Sequence, residues 1–302
     1  MSLQAGLVVA THGRHCVVED TAGQQLICHP RGKKNLPLVG DRVQWLASQD
    51  EGTIEQIEPR RNCFYRQDEV RTKAFAANLD LVLVLIAAEP EFSEHQLARS
   101  LIAAESAGIT PLIVLNKSDL PEPFARAWAR LAPYRDMGYR VLGMSVKHDA
   151  EAAHSTLSQA LAGKATLLLG PSGSGKSSVT NLLVPLAKAS TREISQALNS
   201  GKHTTTASRW YWVDNAKTTA LIDSPGFQEF GLRHIEPMQL AALMPDLKAH
   251  TRHCKFYNCT HLHEPGCGVI SEVKSTASQS EISLTRYRIY GELFAELSQS
   301  RF

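Results

Sequence analysis

Residues 170–178 read Gly-Pro-Ser-Gly-Ser-Gly-Lys-Ser-Ser and fit the pattern G-x-x-x-x-G-K-[ST] without a mismatch. The apolar run Ala165–Leu169 before them is typical of a buried strand, and Val179–Val184 after them begins a helix that Pro185 is expected to end. A Gly/Ser-rich linker can meet the pattern by chance. The order of strand, glycine-rich loop and helix instead predicts a phosphate-binding loop.

The chemistry of phosphate binding requires these residue types. Glycines let the backbone turn sharply and bring its N–H groups against phosphate oxygens, and the helix start adds unpaired N–H groups. Lys176 can reach the β- and γ-phosphates, and the Ser177 hydroxyl can ligate Mg²⁺. We therefore expect a nucleoside triphosphate to bind this loop. The expected contact residues are Gly170, Pro171, Ser172, Gly173, Ser174, Gly175, Lys176, Ser177 and Ser178.

The chain has 302 residues, of which 43% are hydrophobic and 21% charged, and this is ordinary for a globular protein of two or three domains. A net charge of +2 gives no strong argument for a polyanionic partner. The absence of a run of about 18 apolar residues argues against a membrane span, and residues 1–10 lack signal-peptide features. We therefore expect a cytoplasmic protein whose six cysteines are free thiols or metal ligands.

Residues 1–66 carry five short β-type segments separated by turn signals. They are Gly6–Ala10, His15–Glu19, Gln25–Cys28, Val43–Leu46 and Thr53–Ile57. Five strands in this length predict a small closed barrel of the OB-fold type, which often binds nucleic acid. Five basic residues can contact phosphates there, although a solvated loop charge is the simpler interpretation of each: Arg31, Lys33, Lys34, Arg60 and Arg61. Cys16 and Cys28 are expected to be core residues.

Strands and helices alternate from residue 81 to residue 161. The expected strands are Leu81–Ile86, Pro111–Leu115 and Tyr139–Met144, and the expected helices are Ser93–Ala107, Arg126–Leu131 and Ala150–Leu161. This alternation predicts a doubly wound α/β sheet.

The tetrapeptide Asn116-Lys117-Ser118-Asp119 fits N-K-x-D at the carboxyl end of a predicted strand, where ligands bind in such sheets. The Asp119 carboxylate can accept hydrogen bonds from N1–H and the exocyclic amine of guanine, whereas adenine offers neither donor at these positions. Lys117 can lie along the base, and Asn116 can tie neighbouring loops together. An ordinary surface turn is the alternative, but the preceding buried strand and the phosphate loop favour guanine recognition.

Three further segments complete the expected nucleotide site. Ser145-Val146-Lys147 resembles the S-A-K loop that meets guanine O6, with Val146 in place of the usual Ala. Residues 223–226 fit D-x-x-G, so we expect Asp223 to hold Mg²⁺ through water and the Gly226 N–H to sense the γ-phosphate. One hydroxyl of Thr204–Thr206 is expected to bind Mg²⁺, and we favour Thr205. The threonine run can also be read as a β-prone segment.

The C-terminal region carries a cluster of metal-ligand residues, Cys254-x₄-Cys259-x-His261-x₅-Cys267. Three thiolates and an imidazole suit tetrahedral Zn²⁺, and four protein ligands make the site structural. Reduced cysteines in a loop are the alternative interpretation, and His253 and His263 are competing ligands. Helices are expected over Pro237–His250, before the cluster, and over Glu281–Leu297, after a polar linker at residues 271–280. The second helix has an apolar stripe, with Arg286 and Arg288 on its solvated face.

The guanine motifs precede the phosphate loop in this chain, which is the order of circularly permuted GTPases. With a barrel before them and a Cys/His cluster after them, the chain resembles the RsgA family, bacterial GTPases of small ribosomal subunit assembly. The resemblance implies three domains: an OB-fold barrel that binds RNA over residues 1–66, a permuted α/β GTPase domain over 67–235, and a zinc-binding helical domain over 236–302. It also implies GTP/GDP, Mg²⁺ and one structural Zn²⁺ as cofactors. The implied partner is the small ribosomal subunit with its rRNA. The sequence itself has no self-complementary patch or coiled coil, so we expect a monomer, and we expect no membrane partner.

One feature of GTPase chemistry is missing from the sequence. Phe227 follows Asp223–Gly226, where Ras-like proteins carry the glutamine that orients the attacking water. We expect slow intrinsic hydrolysis unless a partner positions the water, with His203 as a less favoured helper. Two other functions compete with an assembly GTPase: a small-molecule kinase, which the N-K-S-D motif argues against, and an RNA- or ribosome-binding module that uses GTP as a structural switch.

Overall fold

A computed structural model of the chain describes residues 2–13, 15–32, 36–48, 51–67, 72–185, 187, 208–223, 232–273 and 282–299. Within these ranges an eleven-stranded mixed sheet runs from the N-terminal barrel into the central α/β domain. Helices cover the sheet, and the C-terminal helices share the larger of its cores.

The first five strands close into a barrel. They are β1 (Gln4–His12), β2 (His15–Asp20), β3 (Gln25–Pro30), β4 (Arg42–Ala47) and β5 (Gly52–Ile57). Strand β1 pairs with both β2 and β4, β3 pairs in parallel with β5, and β5 pairs with β4, so no edge is left open. The predicted OB-type barrel is therefore confirmed.

Trp45 fills the barrel interior together with the buried thiols of Cys16 and Cys28. A side chain at Gly52 would place its Cβ 2.6 Å from the Trp45 ring and from Cys28 Sγ, so the tryptophan occupies the room that a larger residue would need. The core role expected for both cysteines is confirmed. Burial raises the pKa of Cys16 to about 12 and that of Cys28 to about 11.

Two strands that the sequence did not indicate follow the barrel. Strands β6 (Cys63–Gln67) and β7 (Thr72–Ala77) form an antiparallel hairpin. The hairpin spans the expected boundary at residues 66 and 67, which stays a prediction.

The central domain alternates strands and helices as expected. Its elements are β8 (Leu81–Ala87), α1 (Glu94–Ser106), β9 (Thr110–Asn116), α2 (Pro121–Arg130), α3 (Ala132–Asp136), β10 (Arg140–Met144), α4 (Ala150–Leu161), β11 (Ala165–Leu169), α5 (Lys176–Leu183), β12 (Arg209–Trp212) and β13 (Ala220–Asp223). Parallel pairing gives the order β10-β9-β8-β11-β13, and β12 then joins β13 and the barrel strand β1 in antiparallel fashion. The carboxyl ends of the parallel strands therefore meet at one edge, beside the barrel.

Local signals account for several helix ends. Ser93 Oγ accepts a hydrogen bond from the Gln96 N–H and caps α1, and Gly108 follows its end with a φ of +65°. Both were predicted. Helix α2 begins at Pro121, earlier than the expected start at Arg126, because proline is well tolerated in the first turn of a helix.

The C-terminal region differs from the predicted pair of helices. A 3₁₀ helix (Pro237–Leu243) and α6 (Pro245–Thr251) replace the single helix expected over residues 237–250. The break lies at Met244, which is extended because the ring of Pro245 disfavours a helical residue before it. Helix α7 (Gly268–Val273) and helix α8 (Leu284–Ser298) complete the region.

The apolar stripe of α8 is confirmed, because Ile289, Leu293 and Leu297 are buried. The solvated position expected for Arg286 was wrong. The residue is 2% exposed, and its guanidinium makes two 2.8 Å hydrogen bonds to Asp246 of α6. This buried ion pair joins α8 to α6 and removes Arg286 from any surface that can meet RNA.

Candidate functional site

The phosphate loop joins β11 to α5, and two of its glycines leave no room for side chains. A Cβ at Gly170 would lie 2.2 Å from the Leu85 carbonyl oxygen. Gly175 has a φ of +104°, and a Cβ there would lie 2.4 Å from Asn116 Nδ2. The glycines therefore let the loop lie directly against the ends of the neighbouring strands.

Lys176, the first residue of α5, folds back over the same loop. Its Nζ donates to the carbonyl oxygens of Gly170 at 2.6 Å and Pro171 at 2.9 Å. Burial lowers the pKa of Lys176, and the negative charge of Asp223 opposes that shift. Lys176 is thus held at the loop, on the side where phosphate is expected.

Asn116 ties together the three loops that surround the site. Its Nδ2 donates to the Ser174 carbonyl at 2.9 Å, and its Oδ1 accepts the N–H groups of Lys117 at 2.8 Å and Val146 at 3.1 Å. The loop-tying role predicted for this residue is confirmed. The Val146 N–H is already used in this network and is not free to meet a base.

Asp119 lies beside this network with its carboxylate fixed from two sides. Ser145 Oγ donates to Oδ1, and His148 Nε2 lies 3.4 Å from Oδ2. The pKa of Asp119 is below its ordinary value, chiefly because of the Ser145 hydrogen bond. The carboxylate is therefore kept ionised and able to accept hydrogen bonds. His148 had no sequence signal beyond its place after Ser145-Val146-Lys147.

A cavity of about 760 Å³ opens between the phosphate loop and the loops that follow β9 and β10. Eleven expected contact residues and His148 line it: Asn116, Lys117, Asp119, Ser145, Lys147, Ser172, Gly173, Gly175, Lys176, Ser177 and Ser178. The other expected contacts do not belong to this lining, namely Ser118, Val146, Gly170, Pro171 and Ser174. Of these, Ser174 and Val146 are buried and support the loops from behind.

Asp223 ends β13 next to the phosphate loop. It stands opposite Leu168 of β11 on one side and opposite Arg209 of β12 on the other. The two other residues expected to act on phosphate or Mg²⁺, Thr205 and Gly226, lie outside the described residues, as do His203 and Phe227.

The four metal-ligand residues expected near the C-terminus come together. The ligand atoms of Cys254, Cys259, His261 and Cys267 lie within 4.8 Å of one another. His261 Nδ1 is 3.4 Å from the sulfurs of Cys254 and Cys267, which are 3.8 Å apart. A tetrahedral Zn²⁺ with ordinary bond lengths sets its ligand atoms about 3.6 Å (S to N) and about 3.8 Å (S to S) apart. The donor set therefore fits zinc in chemistry, and Cys254, His261 and Cys267 also have the spacing of a tetrahedral site.

Hydrogen bonds from α8 hold the loop of this cluster in place. Tyr287 Oη donates to the His261 carbonyl at 2.8 Å, and Tyr290 Oη donates to the Thr260 carbonyl at 2.7 Å. Burial lowers the pKa of His261 and favours the neutral imidazole that binds metals. The competing histidines His253 and His263 are not in the cluster.

The basic residues expected to meet phosphates in the barrel mostly have carboxylate partners. Arg60 donates to the buried Asp41 at 2.7 and 2.8 Å, and Arg61 pairs with Asp80 at 2.8 Å. Arg31 pairs with Glu55. Lys33 and Lys34 lie outside the described residues. In the described ranges, no helix is long and apolar enough to cross a membrane.

Comparisons with known proteins identify one family. The sequence model of a family described as RsgA GTPase matches residues 57–233. A protein of Variovorax paradoxus described as "Small ribosomal subunit biogenesis GTPase RsgA" is 70% identical over 99% of this chain and 94% of its own length. A Ralstonia pickettii protein with the same description is 47% identical over 98% of this chain and 94% of its own length.

Two solved structures are similar over the full length. YloQ, described as a circularly permuted GTPase, is 27% identical with a TM-score of 0.72, covering 100% of this chain and 98% of its own. YjeQ from Thermotoga maritima is 28% identical with a TM-score of 0.75, covering 99% of this chain and 100% of its own. The fold expected from the motif order is therefore confirmed.

Proposed function

The chain belongs to the RsgA GTPase family and is a GTP-hydrolysing enzyme, and we propose that it binds the small (30S) ribosomal subunit and acts in its late assembly. The observation that carries this proposal is the 70% identity, over 99% of the chain, to a protein described as a small ribosomal subunit biogenesis GTPase. The nucleotide cavity and the Cys₃His cluster support it, because each is formed by residues of motifs that were predicted from the sequence.

We propose that the cavity binds guanine nucleotides through two groups of residues. Asp119 accepts hydrogen bonds from the N1–H and exocyclic amine of guanine, with Ser145 fixing one carboxylate oxygen. The Lys117 and Lys147 stems flank the base. A site of this kind rejects a base that leaves its acceptors unpaired, often by roughly 10⁴-fold or more.

At the other end of the cavity, the phosphate loop and Lys176 bind the triphosphate. The proposed Mg²⁺ contacts are Ser177, Asp223 and Thr205, and Gly226 is the proposed γ-phosphate sensor. When bound, Mg²⁺ neutralises the charge that develops on the phosphates. Lys176 now donates to two carbonyl oxygens of its own loop, and it exchanges these for phosphate oxygens.

We propose that Cys254, Cys259, His261 and Cys267 bind one structural Zn²⁺. Burial raises the pKa of Cys259 and Cys267, so their thiolates need a cation beside them. Four protein ligands leave no position for a reacting water. The proposed domains are the barrel (1–66) on RNA, the GTPase domain (67–235), and the zinc and helical domain (236–302), with the barrel and the zinc domain docking on the subunit.

Phe227 in place of a water-orienting glutamine implies slow intrinsic hydrolysis, which the bound subunit accelerates by completing the site. The GTP form docks on the subunit, and hydrolysis releases it. Equal affinity of the subunit for the GDP form and for a form with a non-hydrolysable GTP analogue would argue against this switch.

The deciding experiment measures GTP and ATP hydrolysis with and without purified small ribosomal subunits. We expect GTP-specific turnover that is slow alone, rises with subunits and disappears in Lys176→Ala. Nucleotide binding without turnover in both conditions would instead indicate a ribosome-binding module that uses GTP as a structural switch. Equal hydrolysis of ATP and GTP would overturn the role given to Asp119.

A further inference from the structure

A buried carboxylate of the barrel joins the GTPase domain at the hairpin formed by β12 and β13. Glu19, on β2, is 7% exposed. Its Oε1 accepts hydrogen bonds from Lys217 Nζ at 2.6 Å and from Trp212 Nε1 at 2.9 Å, and Gln25 Nε2 donates to Oε2 at 3.0 Å. Three donors satisfy one buried carboxylate, and two of them belong to the hairpin.

Backbone pairing joins the barrel to the same hairpin at its other end. Ala10 of β1 stands opposite Arg209, the first residue of β12. Arg209 stands opposite Asp223, the last residue of β13, and Asp223 stands opposite Leu168 of β11. Ala10, Arg209 and Asp223 thus lie side by side on β1, β12 and β13. Only β12 separates the barrel from Asp223, which lies beside the phosphate loop.

Hydrogen bonds hold the turn of the hairpin. Asp214 accepts hydrogen bonds from the N–H groups of Thr218 at 3.0 Å and Thr219 at 2.7 Å. Lys217 has a φ of +54°, and its ammonium lies against the barrel turn at Gly23. The barrel therefore contacts the hairpin at its turn, through Glu19, and at its open end, through β1.

In the sequence, the β12–β13 hairpin lies between residues that we propose contact Mg²⁺ and the γ-phosphate. The hairpin follows Thr205 in sequence and precedes Gly226, and its own last residue is Asp223. Asp119, which we propose reads the base, follows β9, and β9 lies two strands from β11 on the side away from β13. A shift of the hairpin would thus act on Mg²⁺ and the γ-phosphate and leave base recognition unchanged.

We propose that Glu19 is a positioning residue of the GTPase site: by holding the β12–β13 hairpin against the barrel, it places Asp223 for Mg²⁺ and so sets the preference for GTP over GDP. The inference rests on the proposed role of Asp223. Coupling free energies between sites usually correspond to effects of about 5- to 150-fold. Because the backbone pair between Ala10 and Arg209 persists without Glu19, we expect an effect near the lower end.

The test compares Glu19→Ala and Lys217→Met with wild type in the full chain. Affinities for GDP and for a non-hydrolysable GTP analogue are measured by calorimetry, with Mg²⁺ and with EDTA. In Mg²⁺, both variants should lose about fivefold in the ratio of analogue to GDP affinity. In EDTA, their GDP affinity should stay within about twofold of wild type, and Glu19→Gln, which keeps an acceptor for Trp212, should recover part of the ratio.

A matched control is Glu55→Ala, which removes the barrel ion pair with Arg31 far from the hairpin. It should leave the affinity ratio unchanged. Lys217→Met keeps the test available if Glu19→Ala does not fold, because Gln25 and Trp212 still donate hydrogen bonds to the Glu19 carboxylate. If Glu19→Ala and Lys217→Met lower the melting temperature but leave the ratio of analogue to GDP affinity unchanged, the contact is only structural and the positioning role is wrong. If Asp223→Asn also leaves analogue affinity in Mg²⁺ unchanged, the proposed magnesium site fails instead, and the positioning role fails with it.

Discussion

Replacing Asn116 with alanine should detach the loops that surround the nucleotide cavity from one another. The side chain is 4% exposed and makes three hydrogen bonds, one to the Ser174 carbonyl and two from the Lys117 and Val146 N–H groups. Alanine leaves all three backbone groups without this partner. Water from the cavity can satisfy Lys117, which is partly exposed, but Ser174 and Val146 are buried.

The magnitude follows from the two buried groups. An unsatisfied buried backbone group costs about 1–3 kcal/mol, so two of them at about 1.5 kcal/mol each give about 3 kcal/mol. If nucleotide binding has to restore the order of both loops, this corresponds to about 100-fold weaker GDP binding. Part of the cost falls on folding instead, so a loss between about 10- and 100-fold is expected, together with a lower melting temperature.

The assay is calorimetric titration of the nucleotide-free protein with GDP. The matched control is Ser118→Ala, a change in the same loop at an exposed side chain, which should alter GDP affinity by less than about twofold. A folded Asn116→Ala protein that binds GDP within about threefold of wild type would falsify the reasoning, because the loops would then be positioned independently of this side chain.

Three further predictions concern separate parts of the molecule. Arg286→Met leaves Asp246 as a buried unpaired charge and should lower the free energy of unfolding, measured in urea, by about 3–5 kcal/mol, whereas Arg288→Met on the exposed face of α8 should change it by less than about 0.5 kcal/mol. Cys267→Ser should lose the one equivalent of zinc that atomic absorption is expected to find in the wild type, and equal zinc content in both proteins would exclude this cluster as the site. Because the Ser145 hydrogen bond lowers the pKa of Asp119, GDP affinity should hold as the pH falls through the usual aspartate range, and Ser145→Ala should begin to lose affinity at a higher pH, as a fluorescent-GDP titration can measure.

Those parts of the fold that depend on neighbours in sequence were predictable. The phosphate loop needs its flanking strand and helix, and α4 and β11 have the bounds that their patterns predicted. The cap at Ser93 is equally local. The four proposed zinc ligands fall within a short segment whose spacing limits how far apart they can lie.

Features that depend on distant partners could not be read in the same way. Arg286 looked solvated because an amphipathic pattern does not show that Asp246, forty positions earlier, would be buried opposite it. Strands β6 and β7 lack regular alternation of polar and apolar residues, and their pairing with each other defines them. The contact of Glu19 with Lys217 joins residues almost two hundred positions apart, so no local pattern marks it.

The order of elements in the chain explains why the barrel can influence the nucleotide site at all. In a sheet with the order β8-β11-β13-β12, strand β12 would be an exposed edge without the barrel. The barrel strand β1 pairs with that edge at Ala10 and Arg209, and edge strands need partners to avoid pairing with other molecules. The same pairing ties the barrel to the strand beside Asp223. By linkage, a ligand that moves the barrel relative to β12 changes GTP preference by the factor with which GTP changes the affinity of that ligand. Under the proposed roles of the barrel and of Asp223, an RNA bound to the barrel would therefore act on the magnesium site through the single strand β12.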